Sequence, residues 1–377
     1  MKVTWNVIFL IAISSLFFLP GCGGGGGEGG GSSATDSQIN QSDQAGQSIN
    51  PGLAGKVVLG GKGWVLDLTT GSYTRVPGVE AWDERPEYLG IATVEITSQA
   101  VAGGMVVETV NNCRDSDSVY YNLECVRLYD GSGAMFAGFT FSGTIHEPVK
   151  ISRDSRYLAV IREYDFNSSD YYLEIHDREN NQLVSYTVIS QGFALIDFDW
   201  LPDNRLVYTL GQSIYVTPVL STVGNPIIQF DSTQGEPVEV RASPDGERIA
   251  FVLKTYGTRV STHGHAHTLD VNGNDLKRLA VVPGESDPHM KHPTWSPDGE
   301  WILLLEGEVG AADWFALGTP GTLYAVPADG TDVPLSMDTA TTTAVPILGR
   351  HLQIHETDSD LIYRFTDAGE LFWISSP

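Results

Sequence analysis

The feature that most constrains this fold is a short hairpin written into the chain more than once. Its fullest copy is Trp295-Ser296-Pro297-Asp298-Gly299-Glu300-Trp301-Ile302-Leu303-Leu304-Leu305. Ser-Pro-Asp-Gly has the residues a type I turn needs. Serine bonds back to the backbone, proline presets φ, aspartate suits the third position and glycine tolerates positive φ at the fourth. The run Trp301 to Leu305 is apolar at every position, so it predicts a strand covered on both faces. A second copy is Arg241-Ala242-Ser243-Pro244-Asp245-Gly246-Glu247-Arg248-Ile249-Ala250-Phe251, and weaker copies fall at 151–160 and 200–208. A repeated hairpin buried on both faces predicts a blade in a radial or stacked array.

Hairpins of a second kind, an apolar strand closing on a polar turn, alternate with these. They lie at 64–71, 126–131, 173–177, 213–216, 267–273, 323–330 and 361–369. Their spacing, roughly fifty residues, suits a four-stranded blade. The expectation is an all-β chain: a β-propeller of four-stranded antiparallel blades over 52–377, with seven blades favoured over six. The first repeat, 56–77, has room for three strands only. In the seven-blade reading, 339–377 forms its own blade. In the six-blade reading, 362–375 supplies strands that the first repeat lacks. Some closure is needed, because an open ring leaves two exposed sheet edges.

Residues 1–21 read as a signal peptide: Lys2, an apolar run over 7–19, then Leu19-Pro20-Gly21-Cys22. The run is short for a membrane span. The ending resembles the lipobox of bacterial lipoproteins, which implies that Cys22 becomes the lipidated first residue of the mature chain. The alternative is an ordinary secretory signal that contains a cysteine. Gly23, in place of aspartate, implies the outer membrane of a Gram-negative cell, with the domain on the periplasmic side or at the surface. Residues 22–51 are rich in Gly, Ser and Gln and read as a flexible tether. Cys113 and Cys125 bracket one loop of the second repeat. In an oxidising compartment they are expected to form a disulfide, the alternative being two free thiols.

The turn motifs at 243–250 and 295–302, with the Asp-Gly hairpin Leu323-Tyr324-Ala325-Val326-Pro327-Ala328-Asp329-Gly330, resemble the TolB-like, WD40-like family of bacterial propellers. That resemblance implies the fold and leaves the activity open, since the family includes a protein-binding propeller, propellers fused to peptidases and sugar-acid lyases.

The formal charge of −25 excludes nucleic acid and anionic membrane surfaces as partners, leaving the lipid anchor as the membrane contact. One constellation suggests chemistry. His263, His265 and His267 alternate along a predicted strand, and His289 and His292 follow. Alternate positions share a face, and imidazoles suit a divalent metal. The plain alternative is an exposed polar loop. A catalytic metal site would also need a base and a cation, for which Lys254, Arg259 and Lys291 are candidates by proximity. No Gly-x-Ser-x-Gly elbow or phosphate-cradling loop is present, and no residue is assigned as catalytic. The expected function is a binding or scaffold module for a protein or peptide of the cell envelope. The alternative is a metal-dependent enzyme acting on an acidic sugar or similar substrate.

Overall fold

The computed structural model describes residues 53–59, 64–69, 73–75, 106–110, 123–129, 135–142, 144–163, 170–190, 197–256, 262–284, 289–307, 322–336, 338, 340–348 and 371–374. Signal peptide, tether, Cys22, Cys113 and the predicted strand at 361–369 lie outside them, as does the side chain of Cys125.

Every regular element among the described residues is a strand. In chain order they are β1 (Lys56–Leu59), β2 (Trp64–Asp67), β3 (Tyr73–Arg75), β4 (Val106–Val110), β5 (Leu123–Tyr129), β6 (Met135–Ser142), β7 (Thr144–Ile151) and β8 (Tyr157–Glu163). Next come β9 (Asp170–Asp177), β10 (Gln182–Ser190), β11 (Phe198–Trp200), β12 (Leu206–Leu210), β13 (Ser213–Val216), β14 (Asn225–Gln229), β15 (Glu236–Ala242) and β16 (Arg248–Tyr256). The last are β17 (Thr262–Asp270), β18 (Lys277–Arg278), β19 (Ala280–Val281), β20 (Met290–Trp295), β21 (Trp301–Glu306), β22 (Thr322–Pro327), β23 (Val333–Pro334), β24 (Val345–Leu348) and β25 (Leu371–Ile374).

They form a β-propeller of antiparallel four-stranded blades. The blades run β7 to β10, β11 to β14, β15 to β18, β20-β21-β22-β24 and β25-β1-β2-β3, and β4 to β6 form a three-stranded sheet. Short parallel strands β19 and β23 tie the β15–β18 blade to the β20–β24 blade. The first strand of each blade is innermost, where β7, β11, β15, β20 and β25 meet in succession.

The expected counts of seven and six are both corrected: five complete blades stand among the described residues. The last repeat does not form a blade of its own, and its end supplies a strand to the first repeat, as the six-blade reading expected. β24 pairs with β22, and β25 crosses back to pair with β1, Val57 opposite Trp373. The chain end thereby covers the inner edge of the first blade instead of building its own. Trp373 donates its indole N–H to the Ala54 carbonyl, 2.9 Å, and Thr294 of β20 donates its hydroxyl to the Leu371 carbonyl, 2.9 Å.

The repeated turn has one hydrogen-bond design. In three copies a serine hydroxyl (Ser152, Ser243, Ser296) donates to the aspartate two residues on, 2.5 Å in each. The same oxygen accepts from the backbone N–H five residues on, at Tyr157, Arg248 and Trp301. The fourth turn position is left-handed at Ser155, Asn204, Gly246 and Gly299, with φ of 62°, 63°, 76° and 76°. In the copy at 201–205 a leucine replaces the serine, and the Thr217 hydroxyl takes the Leu206 N–H instead. The strands that follow are buried on both faces, as at Ile302, Leu303, Leu304 and Leu305.

Candidate functional site

The four hairpin copies align by their turns. One residue ends each inner strand: Ile151, Trp200, Ala242 and Trp295. Each is buried between blades. Alternate residues of a strand face opposite ways. The residues just before them, Lys150, Asp199, Arg241 and Thr294, therefore face away from that packing. Further upstream, β7, β15 and β20 each break register against their partners, between His146 and Lys150, Val238 and Arg241, and Lys291 and Thr294. Such bulges re-aim side chains. Glu239 and His292 sit in them with left-handed φ of 55° and 52°.

The result is a belt of charge passed from blade to blade. Arg241 Nη1 donates to Asp197 Oδ2 at 2.6 Å and to the Val240 carbonyl. Lys150 Nζ lies 3.6 Å from Asp197 Oδ1 and 4.0 Å from Asp199 Oδ1, and 5.9 Å from the centre of the Phe198 ring, over which it sits. Asp199 Oδ2 accepts the Ala242 N–H at 2.8 Å. Glu239 accepts the His292 N–H, and its carboxylate stands 3.8 Å from His292 Nδ1. Burial works to raise the Asp197 pKa, but Arg241 and Lys150 outweigh it and hold the carboxyl below its ordinary value. Lys150 and Arg241 are themselves buried. An ion cluster of this kind contributes little net stability against an apolar alternative, but it holds its members in one geometry. On the turn side, Arg153 donates to the carbonyls of Ala242, Ser243 and Pro244, joining the β7–β10 blade to the β15–β18 blade.

The histidines are placed differently. His265 and His267 share one face of β17, ring centroids 6.5 Å apart, as their spacing predicts. His267 stacks on Phe251, and its Nδ1 bonds the His265 carbonyl at 2.9 Å. Burial above all pushes its pKa down to about 4. His289 bridges to Gly264. His292 belongs to the charged belt through Glu239, and the side chain of His263 lies outside the described residues. Among the described residues, no three His, Cys, Asp or Glu side chains gather in a metal-binding group.

Lys150, Asp197, Asp199, Arg241 and Glu239 are the residues that motif reading passes over. A signal existed. Aligned by their turns, the hairpin copies place a polar residue one before the strand end in all four, and charge in three of them.

No protein-family model and no curated protein matches the sequence. Similar solved structures include TolB from Acinetobacter baumannii, at 15% identity and TM-score 0.47, the match covering 73% of this chain and 62% of that one. A putative TolB from Agrobacterium tumefaciens has 14% identity and TM-score 0.45, covering 75% and 88%. The β-propeller domain of the Trilobed protease from Pyrococcus furiosus has 12% identity and TM-score 0.41, covering 72% and 80%. The assignment of a propeller rests on the sheet order and registers of the chain itself.

Proposed function

We propose that this chain is a binding module of the cell envelope, a propeller that presents the inner-strand belt to a protein or peptide and is tethered by lipid on Cys22. The observation that carries the reading is the charge relay Lys150–Asp197–Arg241 with Asp199 and Glu239 beside it. Its members are held by hydrogen bonds and ion pairs before any partner arrives, which lowers the ordering cost of binding. They stand on or beside the innermost strands β7, β11 and β15, so three successive blades contribute. The tether and anchor are supported by Leu19-Pro20-Gly21-Cys22 and the glycine-rich stretch after it.

The test uses charge-removing isosteres. Asp199→Asn and Glu239→Gln keep acceptors for the Ala242 and His292 N–H groups while removing both charges. The double variant is expected to melt close to wild type and to lose capture of envelope proteins by the immobilised chain. Unchanged capture contradicts the belt as the binding surface. Separately, Cys22→Ser is expected to move the protein from the membrane to the soluble fraction. Retention in the membrane contradicts the lipid anchor.

A further inference from the structure

The outer edges of four blades are blunted. β3 has three residues and ends on Arg75. β14 carries Pro226, and β24 carries Pro346. β18 is two residues long, Lys277 and Arg278. Short strands, prolines and basic side chains are the usual means of keeping a sheet edge from pairing with another chain. The fifth edge, β10, has none of these. It runs nine residues, Gln-Leu-Val-Ser-Tyr-Thr-Val-Ile-Ser, with no charge and no proline. Its composition is that of a segment that readily pairs with another strand. Val184 forms a bulge near its start, after which the register with β9 is unbroken from Ser185 to Ser190.

The side chains on this strand are also unusual. Of the seven large apolar residues exposed among the described residues, four belong to β10: Leu183, Val184, Tyr186 and Val188, with Tyr186 at 58%. Two more, Val219 and Val223, lie in the β13–β14 connection of the next blade. That connection is locked beside β10 by Ser185 Oγ, which contacts Thr222 Oγ1 at 3.1 Å and accepts the Thr222 N–H at 3.2 Å. The hairpin that delivers β10 is equally rigid. Asp177 accepts from Arg156, Asn180 and Glu179, which together hold its pKa down to about 2.

We propose that β10 is an open docking edge that takes an extended segment of another protein as an added strand. The segment is apolar and β-branched at alternate positions and carries lysine or arginine at its ends. The added strand pairs with the backbone edge, and its side chains cover Tyr186, Val188 and Val223. The basic ends follow from charge. The chain carries −25, and two copies of it repel, whereas a basic segment is drawn in. The surface is separate from the inner-strand belt, so the two readings stand or fall independently.

The experiment uses the full chain. The probe is a fluorescent peptide of alternating valine and threonine with lysines at both ends. A control peptide carries glutamates in place of the lysines. Binding is read by anisotropy, and oligomeric state by sedimentation. The lysine peptide is expected to bind, and the glutamate peptide to bind at least about tenfold more weakly. Tyr186→Lys with Val188→Lys, both exposed and so tolerated by the fold, is expected to weaken the lysine peptide at least about tenfold without moving Tm. Asp199→Asn with Glu239→Gln is expected to leave peptide binding unchanged. No binding to the wild-type chain overturns the proposal. So does loss of binding in the belt variant alone. Concentration-dependent dimers of the wild-type chain, abolished by Val188→Lys, overturn it in favour of a second copy on the same edge.

Discussion

Trp295 donates its indole N–H to the backbone carbonyl of Arg241 in the preceding blade, at 3.0 Å. Trp200 repeats the arrangement two blades earlier, donating to the Lys150 carbonyl at 3.0 Å. The tryptophans that make the hairpins recognisable thus hold the backbone of the two residues that supply the belt's positive charge. Trp295→Phe keeps an aromatic ring under Arg248 but removes the indole hydrogen bond from a buried site. The expected loss is about 1–3 kcal/mol in denaturant unfolding, with Trp200→Phe similar.

The belt is more costly to break than to keep. Arg241→Leu leaves Asp197 buried with one cation in place of two. The expected loss is about 3–5 kcal/mol. Adding Asp197→Leu should restore part of it, because the stranded charge is then gone. A double-mutant cycle on purified protein measures both.

The shared turn geometry separates two glycines. Gly246 and Gly299 both have φ of 76°. A Cβ on Gly246 would meet Pro202 Cδ at 2.7 Å, whereas one on Gly299 would stand 3.7 Å from Pro244 Cδ. Both alanine variants carry the left-handed penalty of roughly 1–2 kcal/mol. Gly246→Ala carries a clash with the neighbouring turn in addition, so its Tm is expected to fall further.

His267 is held neutral by its burial, with a pKa of about 4 against an ordinary 6.5. Between these values the unfolded chain binds a proton that the folded chain does not. Stability is therefore complete above about pH 6.5 and falls as pH drops toward 4, by at most about 3 kcal/mol. Thermal melts across that range should show the slope, and His267→Phe, which preserves stacking on Phe251, should flatten it. The same preparations decide the metal reading. Stoichiometric metal in the wild-type protein, lost in His265→Ala and His267→Ala, would support it.

The turn at 296–299 and the apolar run after it were legible because they rest on local chemistry: one serine, one aspartate and a left-handed fourth position, repeated. The blade count was not, because which strands share a sheet is decided by pairings between distant segments; the six-blade reading did place 362–375 with the first repeat, where β25 pairs with β1. The even spacing of His265 and His267 correctly predicted a shared face of β17. It did not predict that His267 would be held against Phe251, or that His292 would turn to Glu239 in the neighbouring blade. The belt escaped motif reading because its column holds a lysine, an aspartate, an arginine and a threonine. Only its position repeats.

The most direct test of the binding reading is site-specific photo-crosslinking in cells. A photoreactive residue is placed at Asp199 or Glu239 on the inner strands, with Leu276, an exposed residue beside the outer strand of the β15–β18 blade, as control. The account expects one discrete cross-linked partner from both inner positions and none from Leu276. Cross-links from Leu276 alone, or none from either inner position, would contradict it.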